Sequence, residues 1–183
     1  MTPVKTTNMF TIAHIVLIVT ATMTALISGL FYAWSCSVVP GLARVSDSTY
    51  LEAMQQINRA ILNPVFFMSF IGTALLLPLS TWLHYGPDLN ARFWLLLLAS
   101  VVYLAGTFGV TMFGNVPLNE ALDAFNLSSA TAQELAAQRA RFEGPWNNLN
   151  IIRTIAGIVA LILIILACLN PAAVTARTAA VYR

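Results

Sequence analysis

The sequence predicts an all-α polytopic membrane protein, a single domain over residues 1–183 that forms a bundle of four transmembrane helices. Hydrophobic residues make up 58% of the chain, charged residues 9%, and the mean hydropathy is +0.78. An average soluble domain carries about a quarter charged residues. Four stretches free of charged residues are each long enough for the roughly 20 residues that cross a bilayer. We place the spans near residues 9–35, 62–84, 93–113 and 151–169.

The spans are expected to be helices because backbone polar groups must be paired inside lipid, and the apolar runs do not alternate as barrel strands do. A cleaved signal peptide is the alternative interpretation of the first run. That run is longer than the roughly 7–15 apolar residues of a signal peptide, and no small-x-small cleavage site follows it. We therefore expect the first helix to be retained.

The connectors predict a bundle whose two ends differ. A tight Tyr-Gly-Pro-Asp turn, residues 85–88, joins the second and third spans. The other two connectors are longer and lie on the opposite side of the membrane. Pro40-Gly41 is expected to end the first span.

The third connector, residues 114–150, is predicted to contain a short extramembrane helix. A capping box of Thr131 and Glu134 starts this helix, which is expected to end near Phe142. Gly144-Pro145 is then expected to break the chain before the last span, because proline suits the first turn of a helix.

Four crossings place both termini on one side of the membrane, called side A, and the long connectors on the other, called side B. Lysine and arginine are almost equally divided between the sides. If Arg59 and Arg153 lie inside the bundle, side A is the more positive, which favours cytoplasmic termini in a bacterial plasma membrane. The net charge of +2 is scattered along the chain. We therefore expect membrane lipids around the protein and no nucleic-acid partner.

Small residues recur at every fourth position of the first span, at Ala21, Ala25, Gly29 and Ala33. Such a stripe lets another helix approach closely. Packing within the bundle is one interpretation of the stripe, and a homo-oligomer interface is the other.

Polar side chains gather at the side-B ends of three predicted helices. The second helix contributes Arg59 and Asn63, the third Asn115 and Asn119, and the fourth Trp146, Asn150 and Arg153 on one face. An arginine that faces hydrocarbon costs a few kcal/mol, so both arginines are expected to face the bundle interior or a wet cavity. The cluster is either a hydrogen-bonded lock between helices or a ligand pocket. Because arginine presents a planar fork of donors, such a pocket suits an anion, a carbonyl or a phenolate oxygen.

Side chains that would support other chemistry are missing near this cluster. It has no histidine and only Cys36 nearby, so no zinc or copper site is expected. Cys36 and Cys168 fall at opposite ends of the bundle and are interpreted as unpaired packing residues. His14 and His84 fall near side A, where a haem between them is the alternative to ordinary hydrogen-bonded histidines. A general base near side B has four candidates that spacing does not separate: Asp47, Glu52, Glu120 and Glu143.

These residues resemble the anthrone oxygenase-like integral membrane family over about residues 12–169. The resemblance is carried by Gly29, Pro40-Gly41, Asn58-Arg59, Asn63-Pro64, Asn115-Val116-Pro117-Leu118-Asn119 and the set Trp146, Asn150 and Arg153. It implies a four-helix membrane bundle. From the fungal members, it also implies the oxidation of anthrones to anthraquinones without a haem, flavin or metal signature. Many members of the family have histidine, which could act as a base, at the position of Asn150. Asparagine cannot accept a proton, so this chain departs from the family at that position and Asn150 cannot act as a base.

The leading functional hypothesis is therefore a cofactor-independent oxygenase that acts on an apolar aromatic substrate. Arg59, Arg153 and Asn150 are the predicted catalytic residues, and the arginines would stabilise an enolate or phenolate. Predicted substrate contacts come from Asn63, Asn115, Asn119 and Trp146, whose ring would stack on the substrate. The alternative is a non-catalytic lipid- or quinone-binding protein or a small partner subunit. Transport is less favoured, because neither an inverted repeat nor a helix broken at mid-membrane is evident.

Overall fold

The computed structural model describes residues 11–86 and 89–170, and this part of the chain is helical apart from short connections, with no strand. The helices are α1 (Ile12–Leu42), α2 (Asp47–Ala60), α3 (Pro64–Leu83), α4 (Ala91–Asp123) and α5 (Ala132–Leu169). All except α2 are long and apolar enough to cross a membrane. The prediction of an all-α integral membrane protein with four spans is confirmed.

The four long helices form a closed bundle in the cyclic order α1, α3, α4, α5, so that each packs against two neighbours. α3 has 20 residues, which gives a length of about 30 Å and matches the hydrocarbon core. The other three are longer and extend beyond it at side B. α5 alone has 38 residues, or about 57 Å.

Side B departs from the prediction for the third connector. α4 continues through Pro117 to Asp123, and α5 is one uninterrupted helix. The expected break at Gly144-Pro145 and the separate short helix ending near Phe142 are therefore wrong. The Thr131 and Glu134 capping box is confirmed, but it opens the long helix.

Burial on both sides of Pro145 explains why the helix continues. Proline removes one backbone hydrogen bond and costs about 3 kcal/mol inside a helix. Phe142 and Trp146 are each 2% exposed and belong to one core cluster. Burying each large side chain contributes roughly 1.5–3 kcal/mol, so a continuous helix that buries both outweighs the local cost.

The transmembrane core combines apolar packing with hydroxyl pairs between helices. Thr20 Oγ1 lies 2.9 Å from Ser80 Oγ, which joins α1 to α3. Thr81 Oγ1 lies 3.0 Å from Ser100 Oγ, which joins α3 to α4. In lipid, such hydrogen bonds and close packing hold helices together, because moving apolar side chains from lipid to protein supplies no hydrophobic driving force.

A second core caps the bundle at side B and holds α2 in place. Its buried members are Tyr50, Leu51, Met54, Leu122, Phe142 and Trp146. Arg139 on α5 pairs with Glu143 at 2.7 Å and with Asp47 of α2 at 3.0 Å. Its Cζ lies 4.5 Å from the centroid of the Tyr50 ring. Burial raises the pKa of the Tyr50 hydroxyl, so this ring stays neutral beneath the arginine.

The side-A end of α5 is capped by an arginine from α4. Arg92 is 7% exposed, and its Nε donates to the carbonyl of Ala167 at 3.0 Å, while Nη2 donates to the carbonyl of Asn170. A cation at a helix C-terminus satisfies the last carbonyls and complements the helix dipole.

The two histidines have local hydrogen bonds near side A. His14 takes part in a capping box with Thr11, and His84 Nδ1 donates to the Ser80 carbonyl at 2.8 Å. Pro87 and Asp88 of the predicted turn lie outside the described residues, as do the terminal charges Lys5, Arg177 and Arg183. The orientation of the protein in its membrane stays a prediction.

The small-residue stripe of α1 faces mainly outward. Ala25, Gly29 and Ala33 are exposed, and a Cβ added at Gly29 would meet nothing within 4 Å. Packing of these three residues inside the bundle is therefore wrong, and a homo-oligomer through the stripe stays a prediction. Cys36 and Cys168 are unpaired, as expected, but both are exposed, so their interpretation as packing residues is also wrong.

Gly106 is required where α4 crosses α5. A Cβ added there would lie 2.6 Å from the Cβ of Ala156. We expect Gly106→Ala to separate the two helices and to lower the free energy of unfolding in detergent by about 1–3 kcal/mol. The matched control is Gly72→Ala on α3, where an added Cβ meets nothing within 4 Å and alanine improves helix propensity. Equal stability of the two variants would contradict the close crossing.

Candidate functional site

A cavity of about 380 Å³ lies at side B, where α1, α2, the first turn of α3, α4 and α5 surround it. This volume falls within the range of small-molecule sites. Much of its wall is aromatic, formed by Phe31, Trp34, Phe66 and Trp146. Its polar residues come from three helices: Asn58, Arg59, Thr111, Asn119, Glu120, Asp123 and Arg153.

Arg153 is the buried cation of this cavity. It is 7% exposed and lies 16 residues before Leu169, so it is about 24 Å along α5 from the side-A end and within the hydrocarbon thickness. Its Cζ lies 4.2 Å from the centroid of Phe31 and 5.0 Å from that of Trp146. These cation–π contacts partly replace the solvation that the charge has lost.

The only hydrogen bond from the Arg153 side chain within the described part of the chain runs from Nε to Asn150 Oδ1 at 3.0 Å. No carboxylate oxygen of the described residues lies within 4 Å of its nitrogens. The guanidinium therefore keeps donors that have no acceptor, and a charge that has no carboxylate partner, among the described residues.

Asn150 holds Arg153 from behind and does not line the cavity. It is 1% exposed, and its Nδ2 donates to Ser35 Oγ at 2.9 Å. Ser35 Oγ in turn lies 3.0 Å from Thr154 Oγ1. This chain of hydrogen bonds fixes the amide so that its oxygen faces the guanidinium. The geometry gives Asn150 a positioning role and leaves the catalytic role predicted for it untested.

Trp146 is fixed by the two asparagines at the side-B end of α4. Its Nε1 donates to Asn119 Oδ1 at 2.8 Å, and its carbonyl accepts from Asn115 Nδ2 at 3.3 Å. Its ring centroid lies 5.2 Å from that of Trp34. Asn119 lines the cavity. Asn115 is fully buried and does not line it, and within the described ranges its Oδ1 has no hydrogen-bond partner. Asn115 therefore orients α5 and does not face the cavity.

Arg59 lines the cavity at its mouth, so of the two places expected for it, the bundle interior or a wet cavity, it takes the second. Its Nε lies 2.6 Å from Asp123 Oδ1, and the two side chains are 52% and 47% exposed. Exposed ion pairs of this kind contribute about 0–1 kcal/mol. The ion pair at the mouth of the cavity therefore costs little free energy to separate.

Asn63 is occupied as the N-cap of α3. Its Oδ1 accepts from the backbone N–H groups of Val65 at 3.0 Å and Phe66 at 3.1 Å, and its amide donates to the Ala60 carbonyl at 2.9 Å. It does not line the cavity. The geometry offers no support for its predicted contact with a substrate.

A family model described as anthrone oxygenase matches residues 63–163, more than half of the chain. The chain belongs to the anthrone oxygenase family. No curated protein and no solved structure matches it. The matched range is narrower than the resemblance over residues 12–169 and covers α3, α4 and most of α5. It includes Arg153, Trp146 and Asn119 but excludes α1, α2 and Arg59.

In this anthrone oxygenase family member, sequence reasoning missed the contribution of α1. Phe31 and Trp34 line the cavity, and Ser35 holds Asn150. These residues lie on one helical face at spacings of three and four. This spacing could have indicated that α1 contributes to the site, but aromatic residues and serine are also common in transmembrane helices that carry no site.

π-helical turns occur in α1 and α4, and two of the three segments contribute a residue to the cavity wall. α1 is π-helical over Trp34–Val38, and α4 over Tyr103–Gly109 and Thr111–Asn115. Trp34 and Thr111, which begin two of these segments, both line the cavity. Such turns add a residue to the helical repeat, re-aim side chains and are frequent at functional sites.

The polar cluster thus contains both structural hydrogen bonds and side chains that line a cavity. The amides of Asn63, Asn115 and Asn150 serve structural hydrogen bonds, whereas Arg153, Trp146 and Asn119 face the cavity. Within residues 11–86 and 89–170, no three side chains of His, Cys, Asp or Glu are grouped so that they could hold a metal ion. The cavity therefore presents a buried cation, aromatic faces, amides and two carboxylates.

The support of Arg153 can be tested through Asn150. We expect Asn150→Leu to lower the free energy of unfolding by about 2–4 kcal/mol, because it leaves the buried Arg153 Nε without an acceptor and removes the donor to Ser35 Oγ. Thermal unfolding in detergent measures the effect. Asn148→Leu is the control, because Asn148 is exposed two residues away on the same helix. A loss in Asn150→Leu no greater than in the control would contradict the positioning role.

Proposed function

We propose that this protein is a membrane oxygenase that binds an apolar aromatic ketone or phenol in the side-B cavity. The observation that carries the proposal is Arg153, a buried cation on the cavity wall without a carboxylate partner among the described residues. An anionic oxygen of the substrate would supply the missing charge. The family membership supports oxygenation as the reaction.

The aromatic wall supports a flat substrate. The rings of Trp34 and Trp146 lie 5.2 Å apart, and Phe31 lies beneath the Arg153 guanidinium. Offset and edge contacts between rings contribute about 0.5–1.5 kcal/mol beyond the area that they bury. The volume of about 380 Å³ has room for a fused aromatic ring system.

The proposed chemistry needs only the substrate and O₂. Removal of a proton from a CH₂ group conjugated with a carbonyl gives an enolate, whose negative oxygen Arg153 stabilises. O₂ takes up electrons from the enolate carbon and forms a C–O bond there, which gives a peroxide. Loss of the second C–H proton and of hydroxide then gives a second carbonyl and one water. Two C–H bonds are broken, the carbon loses four electrons, and one O₂ accepts all four.

A non-catalytic binding protein for a lipid or a quinone is the second candidate. Leu62, which lines the cavity, is 64% exposed on the bundle surface, and this favours entry from the lipid phase. Native mass spectrometry of protein extracted under mild conditions tests this candidate. A bound lipid or quinone that is lost on Arg153→Gln, without O₂ uptake by the wild type, would support binding over catalysis.

Oxygen uptake with anthrone tests the proposed reaction. We expect the wild type to consume one O₂ per anthrone above the no-protein rate. Arg153→Gln should lower this rate about 100-fold or more, because it removes a preorganised donor to the developing anion. Arg153→Lys should give an intermediate rate of oxygen uptake, because lysine keeps the positive charge but lacks the planar set of donors of the guanidinium.

Arg44→Gln is the control for oxygen uptake, because Arg44 is exposed and does not line the cavity. It should retain the wild-type rate. A wild-type rate equal to that of the solution without protein would contradict the proposal for this class of substrate.

A further inference from the structure

We infer that Glu120 is the proton acceptor of this site. The inference rests on the proposed function, since it concerns the removal of the substrate's C–H proton. Glu120 lies on α4 and lines the cavity. Within the described residues its carboxylate has neither a hydrogen-bond donor nor an ion-pair partner.

The other described carboxylates are occupied or lie elsewhere. Asp123, the second one on the cavity wall, pairs with Arg59 at 2.6 Å. Asp47 and Glu143 pair with Arg139 in the side-B cap. The remaining two do not line the cavity, because Glu52 lies elsewhere on α2 and Glu134 belongs to the capping box of α5. Of the carboxylates that spacing left equivalent, the fold brings Glu120 alone to the cavity wall.

Other titratable side chains do not compete for this role in the described part of the chain. His14 lies in the first turn of α1 and His84 at the last turn of α3, both at the opposite end of the bundle. Neither Cys36 nor Cys168 lines the cavity. Asn150 lies behind Arg153, and an amide does not accept a proton.

The positions of Glu120 and Arg153 suit the two ends of one conjugated substrate. Glu120 follows Asn119, which bonds to Trp146, and Trp146 lies seven residues before Arg153 on α5. The backbone of Arg153 therefore lies about 10 Å farther along α5 than that of Trp146, the residue that contacts the neighbour of Glu120. Glu120 and Arg153 both line one cavity, yet they form no ion pair within 4 Å. A base and an anion-stabilising cation placed in this way act on opposite ends of a ring system.

The step is a proton transfer. The Glu120 carboxylate takes a proton from the substrate CH₂ carbon, and the C–H electron pair moves through the ring to the oxygen beside Arg153. Glu120 lines the cavity and is also exposed, so the proton can pass to water or to the departing hydroxide after O₂ has reacted. The carboxylate is thereby regenerated.

Deuterium exchange without O₂ separates this step from oxygenation. Anthrone is incubated anaerobically in D₂O with purified protein, and deuterium at its CH₂ carbon is measured by mass spectrometry against a no-protein sample. We expect the wild type to accelerate exchange. Glu120→Gln, which keeps size and polarity, should lower the accelerated rate about 100-fold or more. Glu120→Asp should keep part of the accelerated rate, because it keeps a carboxylate. Raising the solution pH should restore exchange in Glu120→Gln, because hydroxide then serves as the base.

Glu52→Gln is the matched control, because it removes an exposed side-B carboxylate outside the cavity. Exchange by Glu120→Gln at the wild-type rate would overturn the role of Glu120 and leave Arg153 and oxygen uptake unaffected. Loss of anthrone binding in Glu120→Gln would also overturn it, because it would assign Glu120 to binding. A wild type that accelerates neither exchange nor oxygen uptake would overturn the proposed function as well.

Discussion

The buried charge of Arg153 constrains most of the side-B architecture. A cation within the hydrocarbon thickness costs a few kcal/mol or more unless polar and aromatic groups surround it. Here α1 supplies Phe31 below the guanidinium and Ser35 to hold Asn150, while α5 supplies Trp146. Trp146 reaches this position only because α5 stays helical past Pro145. The long helix, the π-helical turns of α1 and the side-B cap all contribute to surrounding one guanidinium.

The spans were predictable because charge-free length is a property of each segment by itself. The continuity of α5 was not, because the Gly144-Pro145 signal is local whereas the burial of Phe142 and Trp146 depends on α2 and α4. The same limit applies to the asparagines. Residue type shows that an amide is present, but only the backbone around it decides that Asn63 caps a helix while Asn119 faces a cavity.

The contacts that join the helices and the wall of the cavity share side chains in this bundle, and burial separates the two roles. Asn150 and Asn115 are almost inaccessible and join helices. Arg59 and Asp123 are about half exposed and contribute little to stability. Arg153 belongs to both groups, because one edge of its guanidinium is held by Asn150 while the rest has no acceptor in the described part of the chain. A site built in this way is preorganised on its deep side and adjustable at its mouth.

The position of the cavity at the membrane boundary accounts for the combination of groups that it contains. The proposed substrate, an apolar aromatic molecule, would partition into the bilayer, and Leu62 gives the cavity wall an exposed apolar residue. The Arg153 end lies within the hydrocarbon thickness, where weaker screening would strengthen its attraction for the enolate oxygen of the proposed reaction. The Glu120 end is exposed, where a proton can be exchanged with water. If the cavity lay deeper in the membrane, Glu120 would have no water to which it could pass a proton. If the cavity lay farther out, solvent would screen the charge of Arg153 and weaken its attraction for an anion.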